Sequence, residues 1–244
     1  SAMSDLLKLT GIVLLAAPAG EYDKRVVILT REYGKITAFA KGVRRQNSPL
    51  LAAASPFAFG EFSCYEGRGT YRLVQAEIRQ YFREITEDYE SAMYGFYFLE
   101  LASYYSREGE GEPELLKLLY AALRAMIRRQ QPRKLVRYVY ELRVLVLNGE
   151  YPEPFHCASC GTTEHLKRFS LGRNGFLCEN CAPGEGRKVE TSTVYAMQYI
   201  VSAPWNRLFA FTVSEEVLEE IQWIMDRFRK KWVDHTFHSL EMLI

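Results

Sequence analysis

The sequence predicts a multi-domain β plus α protein, with a small N-terminal β-barrel followed by an all-helical domain that contains a four-cysteine zinc module. Three features of the 244 residues support this. Short apolar runs come first, a helical period follows residue 86, and two Cys-x-x-Cys pairs interrupt the helical part. We expect the barrel in residues 3–80, the helical domain in residues 81–244 and the zinc module in residues 155–183.

The composition is that of an ordinary globular protein, with 48% hydrophobic and 25% charged residues. No apolar run approaches the roughly 20 residues that cross a bilayer, and the start lacks a secretory signal pattern. We therefore expect a cytoplasmic protein without membrane contact. Ser1 and Ala2 precede Met3 as the residues left by a cleaved tag do, and we set them aside.

The net charge of +1 gives no general reason to expect nucleic-acid binding, so that function has to rest on local clusters. Charge is uneven along the chain. Residues 1–80 contain eleven Lys and Arg against seven Asp and Glu, so the predicted barrel is the basic part.

Five strands are predicted in the barrel, because short runs rich in Val, Ile, Leu and Phe alternate with turn residues. Glu32, Tyr33 and Gly34 form a tight hairpin turn between the second and third strands. Closing the sheet removes the exposed edges of such short strands, which makes an OB-fold the leading candidate. The strands are expected at residues 8–16, 24–31, 35–41, 57–65 and 71–79.

Helices follow the barrel. Apolar residues on two faces of residues 89–104 predict a helix that is buried nearly all round. After a Gly- and Glu-rich break, Pro113 begins a second helix that runs to about Arg129. Pro132 opens a third helix, which ends near Gly149.

Two more helices are expected beyond the cysteines. One stops before Pro204, and the other carries Val217 and Ile221 on its apolar side. Thr212 and Glu215 match the spacing of a capping box at the start of the later helix.

Four cysteines stand as Cys157-x-x-Cys160 and Cys178-x-x-Cys181, with seventeen residues between the pairs. Each two-residue gap lets one tight turn present two thiolates to a single ion, and two such turns complete a tetrahedral sulfur shell. Four protein ligands leave no open position for an activated water. We therefore predict one structural zinc ion per chain.

Other readings of these cysteines are two disulfides or a redox pair, but cytosolic disulfides are uncommon and a redox motif needs only one pair. His156 and His165 are alternative ligands or solvated neighbours of the site. The fifth cysteine, Cys64, lies in a strand pattern and is expected to be a small buried residue.

A basic loop follows the third predicted strand and carries Lys41, Arg44 and Arg45. Three cations at the rim of a barrel can line a groove that binds the phosphate backbone of a nucleic acid. The alternative is a solvated surface loop. Aromatic residues near this loop are either base-stacking platforms or core residues. They are Phe39, Phe57, Phe59, Tyr65 and Tyr71.

A second basic cluster spans the junction of the second and third helices. Glu141 is the one nearby carboxylate that could compensate its positive charge. The cluster therefore predicts an anion-binding surface for DNA or an acidic peptide, and a solvated helix face is an equally weighted alternative. Helical spacing directs its cations away from the apolar stripe of Leu135. The cluster comprises Arg124, Arg128, Arg129, Arg133, Lys134 and Arg137.

The segment LTREYGKI at residues 29–36, followed by AKGVRR at residues 40–45 and by Ser48, resembles the N-terminal signature of RecO proteins. The resemblance continues through Pro56 and Phe57 to the four-cysteine module, so it covers essentially the whole chain in order as well as in motif.

The resemblance implies an N-terminal OB-fold, a helical C-terminal domain with a zinc module in many members, and no catalytic activity. It implies that the protein binds single- and double-stranded DNA, anneals complementary strands and contacts single-strand-binding protein. It also implies that the protein, together with RecR, helps RecA to replace single-strand-binding protein. Residue by residue, it assigns Lys41, Arg44 and Arg45 to DNA contact and the four paired cysteines to metal binding.

The helical cluster has no matching family motif, so its DNA-binding role rests on charge alone. Its cations beside an apolar surface also suit the acidic, apolar-ended tail of single-strand-binding protein. Some RecO proteins lack the cysteines, which supports a structural rather than a chemical role for zinc.

Two other functions are alternatives to DNA binding and annealing. A zinc-dependent nucleic-acid hydrolase would need an open metal position or a pair of carboxylates, and a deaminase would need a His-x-Glu motif, which His156 does not begin. A protein-docking adaptor without direct DNA binding would need only the barrel and helices as surfaces, since a fold alone does not fix function.

Overall fold

The computed structural model describes residues 5–243, so the interpretation of Ser1 and Ala2 lies outside the described residues. The five predicted strands are present, with bounds shifted by a few residues at most. They are β1 (Leu6–Ala19), β2 (Asp23–Thr30), β3 (Gly34–Ala40), β4 (Phe59–Glu66) and β5 (Tyr71–Gln80).

These strands close into a barrel in the order β1-β2-β3-β5-β4, with β4 pairing back to β1. All neighbours are antiparallel except β3 and β5, which are parallel and meet at only two residue pairs. A five-stranded closed barrel with this crossover is an OB-fold, which confirms the predicted fold class.

The chain between β3 and β4, residues 41–58, folds over one end of the barrel. Val43, Ala54 and Ala58 on this segment are buried in the same apolar core as Ile36 and Ala38 of β3. Because the segment packs its own apolar residues into this core, the backbone that carries its exposed cations is held in place.

Helices make up most of the remaining chain, and several of their predicted ends are confirmed. Pro113 is the first residue of its helix, and Gly149 ends another in the left-handed conformation, with φ of 78°. The helices are α1 (Arg83–Thr86), α2 (Tyr89–Tyr105), α3 (Pro113–Arg128), α4 (Arg133–Asn148), α5 (Thr191–Ser202), α6 (Glu215–Trp232) and α7 (His238–Glu241).

Two details of the predicted helices are wrong. The N-cap of α6 is Ser214, whose hydroxyl accepts the N–H of Val217 at 3.2 Å; Thr212 lies too early to cap a helix that begins at Glu215. Helix α2 is not buried all round, since Phe96 and Tyr104 are 36% and 42% exposed.

The cysteine module contains a small antiparallel sheet that the sequence did not predict. Its strands are β6 (Leu166–Ser170), β7 (Gly175–Cys178) and β8 (Arg187–Lys188), in the order β7-β6-β8. Strand β8 extends the module beyond the predicted end at residue 183.

The chain divides into two compact units. The first comprises the described residues up to Leu123 and those from Phe237, and so contains the barrel, α1, α2, most of α3 and α7. The second, Arg124–Thr236, contains α4, the cysteine module, α5 and α6. The domain boundary at residue 80 stays a prediction. None of the described helices is long and apolar enough to cross a membrane.

Candidate metal centre and nucleic-acid interface

The four paired cysteines come together in the second unit. The Sγ atoms of Cys157, Cys160, Cys178 and Cys181 all lie within 4.8 Å of one another, and those of Cys160 and Cys178 are 3.9 Å apart. The sequence-predicted cluster therefore forms in space. Four converging thiols are a donor set that suits a soft, tetrahedral metal ion.

Backbone hydrogen bonds shape the first Cys-x-x-Cys turn. The N–H of Cys157 donates to the Thr162 carbonyl at 2.8 Å, and the N–H of Gly161 returns to the Cys157 carbonyl at 2.9 Å. Gly161 has a φ of 79°, which a side chain would disfavour. The N–H of Ala158 donates to the carbonyl of Phe176 on β7 at 2.7 Å, which holds the first turn beside the second cysteine pair.

Hydrogen bonds to the Cys157 sulfur favour its thiolate form. Burial raises the pKa of the Cys157 thiol, but backbone N–H donors from Cys160, Cys178 and Ser159 outweigh burial and lower this pKa to about 6. In contrast, side-chain hydrogen bonds with Cys178 and Cys160 raise the pKa of Cys181 to about 12. Because a thiol must lose its proton to bind a metal ion, the lowered pKa makes Cys157 the better prepared ligand of these two cysteines.

Arg168 on β6 is a residue of this site that sequence reasoning missed. Its guanidinium is buried and donates to the carbonyl oxygens of Cys178 at 3.0 Å, Ala182 at 2.7 Å and Glu185 at 2.6 Å, and to that of Cys181. One side chain thus fixes the backbone around the second Cys-x-x-Cys turn. The sequence LKRFS of this strand gives no clear signal, because Arg168 stands beside a second basic residue, Lys167, and only the fold shows that Arg168 is buried.

Both candidate histidine ligands lie outside the cluster. The exposed His156 ring is 3.0 Å from the Glu153 carboxylate, and the group of potential ligands within the described residues contains the four cysteines alone. Cys64 is fully buried in the barrel, as expected, and burial raises the pKa of its thiol to about 12.

The basic loop lies against the β1–β2 turn. Arg44 donates from Nη1 to the Gly20 carbonyl at 3.3 Å, and the Arg45 guanidinium carbon lies 4.1 Å from the centroid of the Tyr22 ring. Lys41, Arg44 and Arg45 are all exposed, and none has a carboxylate partner among residues 5–243. The loop therefore offers three positive charges, two of which contact the β1–β2 turn.

The helical cluster is only partly exposed. Arg128 and Arg129 are exposed at the end of α3, while Arg124, Arg133 and Lys134 are half-buried. These positions agree with a basic surface at the α3–α4 junction.

Arg137 does not belong to that surface. Its side chain is 8% exposed and donates to Glu141 at 3.2 Å and to Asp226 of α6 at 3.5 Å. Arg229 of α6 contacts the same two carboxylates, at 3.4 Å and 3.0 Å. The prediction that Arg137 points to solvent is wrong, because α6 packs on this side of α4 and adds Asp226 to the Glu141 partner within α4.

The aromatic residues near the basic loop divide into two groups. Phe57 is fully buried, with its ring 5.0 Å from that of Phe96, and the half-buried Phe59 packs on Tyr120 at 4.6 Å, so both rings pack on other aromatic rings. Phe39, Tyr65 and Tyr71 are half-buried and keep part of each ring accessible.

Comparison with known proteins gives a consistent picture. A family model described as recombination protein O N terminal matches residues 3–82, and one described as recombination protein O C terminal matches residues 86–241. A protein of Alkaliphilus metalliredigens is 30% identical over 241 residues, which cover 97% of this chain and 98% of the relative. One of Bacillus subtilis is 29% identical over 229 residues, covering 93% and 89%. Both relatives are described as DNA repair protein RecO.

Proposed function

The chain belongs to the RecO family of DNA repair proteins, whose members are recombination mediators rather than enzymes, and we propose that it binds DNA strands and anneals them. The observation that carries this proposal is the basic loop. Lys41, Arg44 and Arg45 are exposed cations without carboxylate partners in the described part of the chain, and such cations are free to neutralise phosphates.

The contacts of the loop support phosphate binding. Arg45 lies over Tyr22, and Arg44 is tied to the Gly20 carbonyl, so both guanidinium groups are restrained before DNA arrives. A restrained cation loses less conformational entropy on binding than a free one, which makes each phosphate contact more favourable.

Annealing follows from the same chemistry. Two complementary strands repel each other through their phosphates, and cations that neutralise part of that charge lower the repulsion during pairing. We propose that the protein also helps RecA to replace single-strand-binding protein, together with RecR. Such work on bacterial chromosomal DNA would take place in the cytoplasm.

We further propose that the four cysteines hold one zinc ion per chain. Thiolate ligands suit zinc, and a shell of four protein sulfurs gives the ion a structural role as a cross-link between the two Cys-x-x-Cys turns. The hydrogen bonds of Arg168 support this assignment, because they position the backbone that presents Cys178 and Cys181 as ligands.

A second surface in the proposal is the helical cluster without Arg137. Arg128, Arg129, Arg133 and Lys134 lie at the α3–α4 junction, where they would contact DNA or hold the acidic tail of single-strand-binding protein. These two ligands are both anionic, so the cluster's charge supports either.

Direct titration of the protein with labelled single-stranded and duplex DNA tests the proposal. We expect binding to both, with an affinity that falls steeply between about 50 and about 200 mM salt because counterions are released from the DNA. Complementary strands should also pair faster in its presence. Absence of binding at low salt would reject the proposal and favour the protein-docking adaptor.

A further inference from the structure

A row of alternating cationic and aromatic side chains crosses the barrel where the barrel closes. The strand register places Arg25 of β2 opposite Phe39 of β3, Phe39 beside Arg72 of β5, and Arg72 opposite Tyr65 of β4. Four strands thus contribute one residue each. The row includes one of the only two residue pairs that join β3 to β5.

These four side chains lie on the outer face of the barrel. The adjacent positions on the same strands, Val26, Ala38, Leu73 and Cys64, are buried in the barrel core. Since successive side chains of a strand point to opposite faces, the row must point outward. The exposure agrees, because Arg72 is exposed while Arg25, Phe39 and Tyr65 are half-buried.

The two arginines of the row are available for an anion. Neither Arg25 nor Arg72 has a carboxylate partner in the described chain, and the Arg72 guanidinium carbon lies 5.2 Å from the Tyr65 ring centroid. A guanidinium beside an aromatic ring keeps its N–H groups free to donate in the plane of the group.

The row lies close to the basic loop along the chain, since Phe39 and Lys41 are separated by Ala40 alone. The neighbouring pair, Lys24 and Ala40, faces the other way: Ala40 is buried in the barrel core, and the Lys24 ammonium donates to the Ala54 carbonyl at 3.3 Å. The row is therefore a separate group of outward-facing side chains beside the loop.

We propose that this row binds single-stranded DNA, with Phe39 and Tyr65 stacking on bases while Arg25 and Arg72 hold phosphates. The inference rests on the proposed DNA binding and specifies which form of DNA the barrel face takes. Base faces are accessible only in an unpaired strand, so a duplex can use the cations of the row but not its rings. Three strand spacings make the row about 14 Å long, enough for a few nucleotides.

The test compares two single-stranded probes of equal length, oligothymidylate and an abasic deoxyribose-phosphate chain. Both carry the same phosphates, so only stacking favours oligothymidylate. We expect the wild-type protein to bind oligothymidylate about fivefold or more tightly for each stacked base. The Phe39→Leu, Tyr65→Leu double variant should lose this preference and bind both probes alike. Tyr89→Leu, which removes an aromatic ring that is 72% exposed on α2, should keep it.

The outcomes separate this inference from the proposed function. Equal wild-type binding of both probes would overturn the stacking row but leave DNA binding intact, whereas no binding of either probe would overturn both. A base preference that survives in a folded double variant would also contradict the row.

If the leucine variants fail to fold by circular dichroism, Arg25→Gln, Arg72→Gln tests the same row without changing its rings. It should reduce the salt dependence of oligothymidylate binding by about 1.4 log units of affinity per log unit of salt. An unchanged salt dependence would place the bound strand elsewhere.

Discussion

The guanidinium of Arg168 donates a hydrogen bond of 3.0 Å to the carbonyl oxygen of Cys178, a residue of the four-cysteine cluster. The same side chain binds the carbonyls of Ala182 and Glu185, on the far side of the second Cys-x-x-Cys turn. A buried cation surrounded by carbonyl dipoles is satisfied without a carboxylate. Arg168 therefore positions the turn that presents Cys178 and Cys181.

Replacing Arg168 by Met should weaken metal binding. The substitution keeps much of the buried stem but leaves carbonyl oxygens without donors, so the second turn loses its fixed shape. We expect the variant to release zinc to a chelator at least tenfold faster than the wild-type protein, as measured with a colorimetric zinc indicator.

Arg173→Met is the matched control. Arg173 is exposed and pairs only with Glu185 among the described residues, so its loss should leave zinc release unchanged. Equal release rates in the two variants would show that Arg168 does not position the metal ligands.

Freshly reduced protein should contain about one zinc ion per chain, and removing this ion should loosen residues 155–188 more than the barrel. Only the module depends on a cross-link between its two cysteine turns. Elemental analysis measures the first quantity, and hydrogen exchange before and after chelation measures the second. Protein free of any metal would refute the metal centre.

Arg137→Ala should destabilise the second unit by about 3 kcal/mol, because it leaves Glu141 and Asp226 with a single arginine. Arg128→Ala, at an exposed position, should cost less than about 0.5 kcal/mol. Urea unfolding followed by tryptophan fluorescence reports on this unit, since all three tryptophans lie within it. Comparable losses in both variants would contradict the assignment of Arg137 to a buried ion-pair network.

Reversing charge at the helical cluster should weaken its proposed peptide contact. We expect Arg128→Glu, Arg133→Glu to lower the affinity for an acidic, apolar-ended peptide by tenfold or more, because attraction to carboxylates becomes repulsion. Fluorescence anisotropy with a labelled peptide measures the change. An unaltered affinity would show that the peptide does not bind at the α3–α4 junction.

The sequence predicted the elements whose signals are local. Strand alternation, Pro113, Gly149 and the paired cysteines each depend on residues close together in the chain, and each prediction is confirmed. The four-cysteine cluster was predictable because two short spacings determine most of its geometry.

Features set by distant residues were not predictable. Arg137 carries a charge that predicts a surface position, yet Asp226 and Arg229, some ninety residues later, make it part of a buried network. The alignment of Arg25, Phe39, Arg72 and Tyr65 likewise depends on the registers of three strand pairs. Sequence periodicity shows the face of a strand but not its neighbour across the sheet.

The most direct test of the central claim is the salt dependence of single-strand binding by the Arg44→Ala, Arg45→Ala variant. If both cations neutralise phosphates, the slope of log affinity against log salt should become shallower by as much as about 1.4, with similar losses for different DNA sequences. The Arg207→Ala, Lys230→Ala variant removes the same charge from exposed positions in the second unit and should keep the wild-type slope. A folded Arg44→Ala, Arg45→Ala protein with an unchanged slope and full annealing activity would contradict DNA binding by the barrel loop.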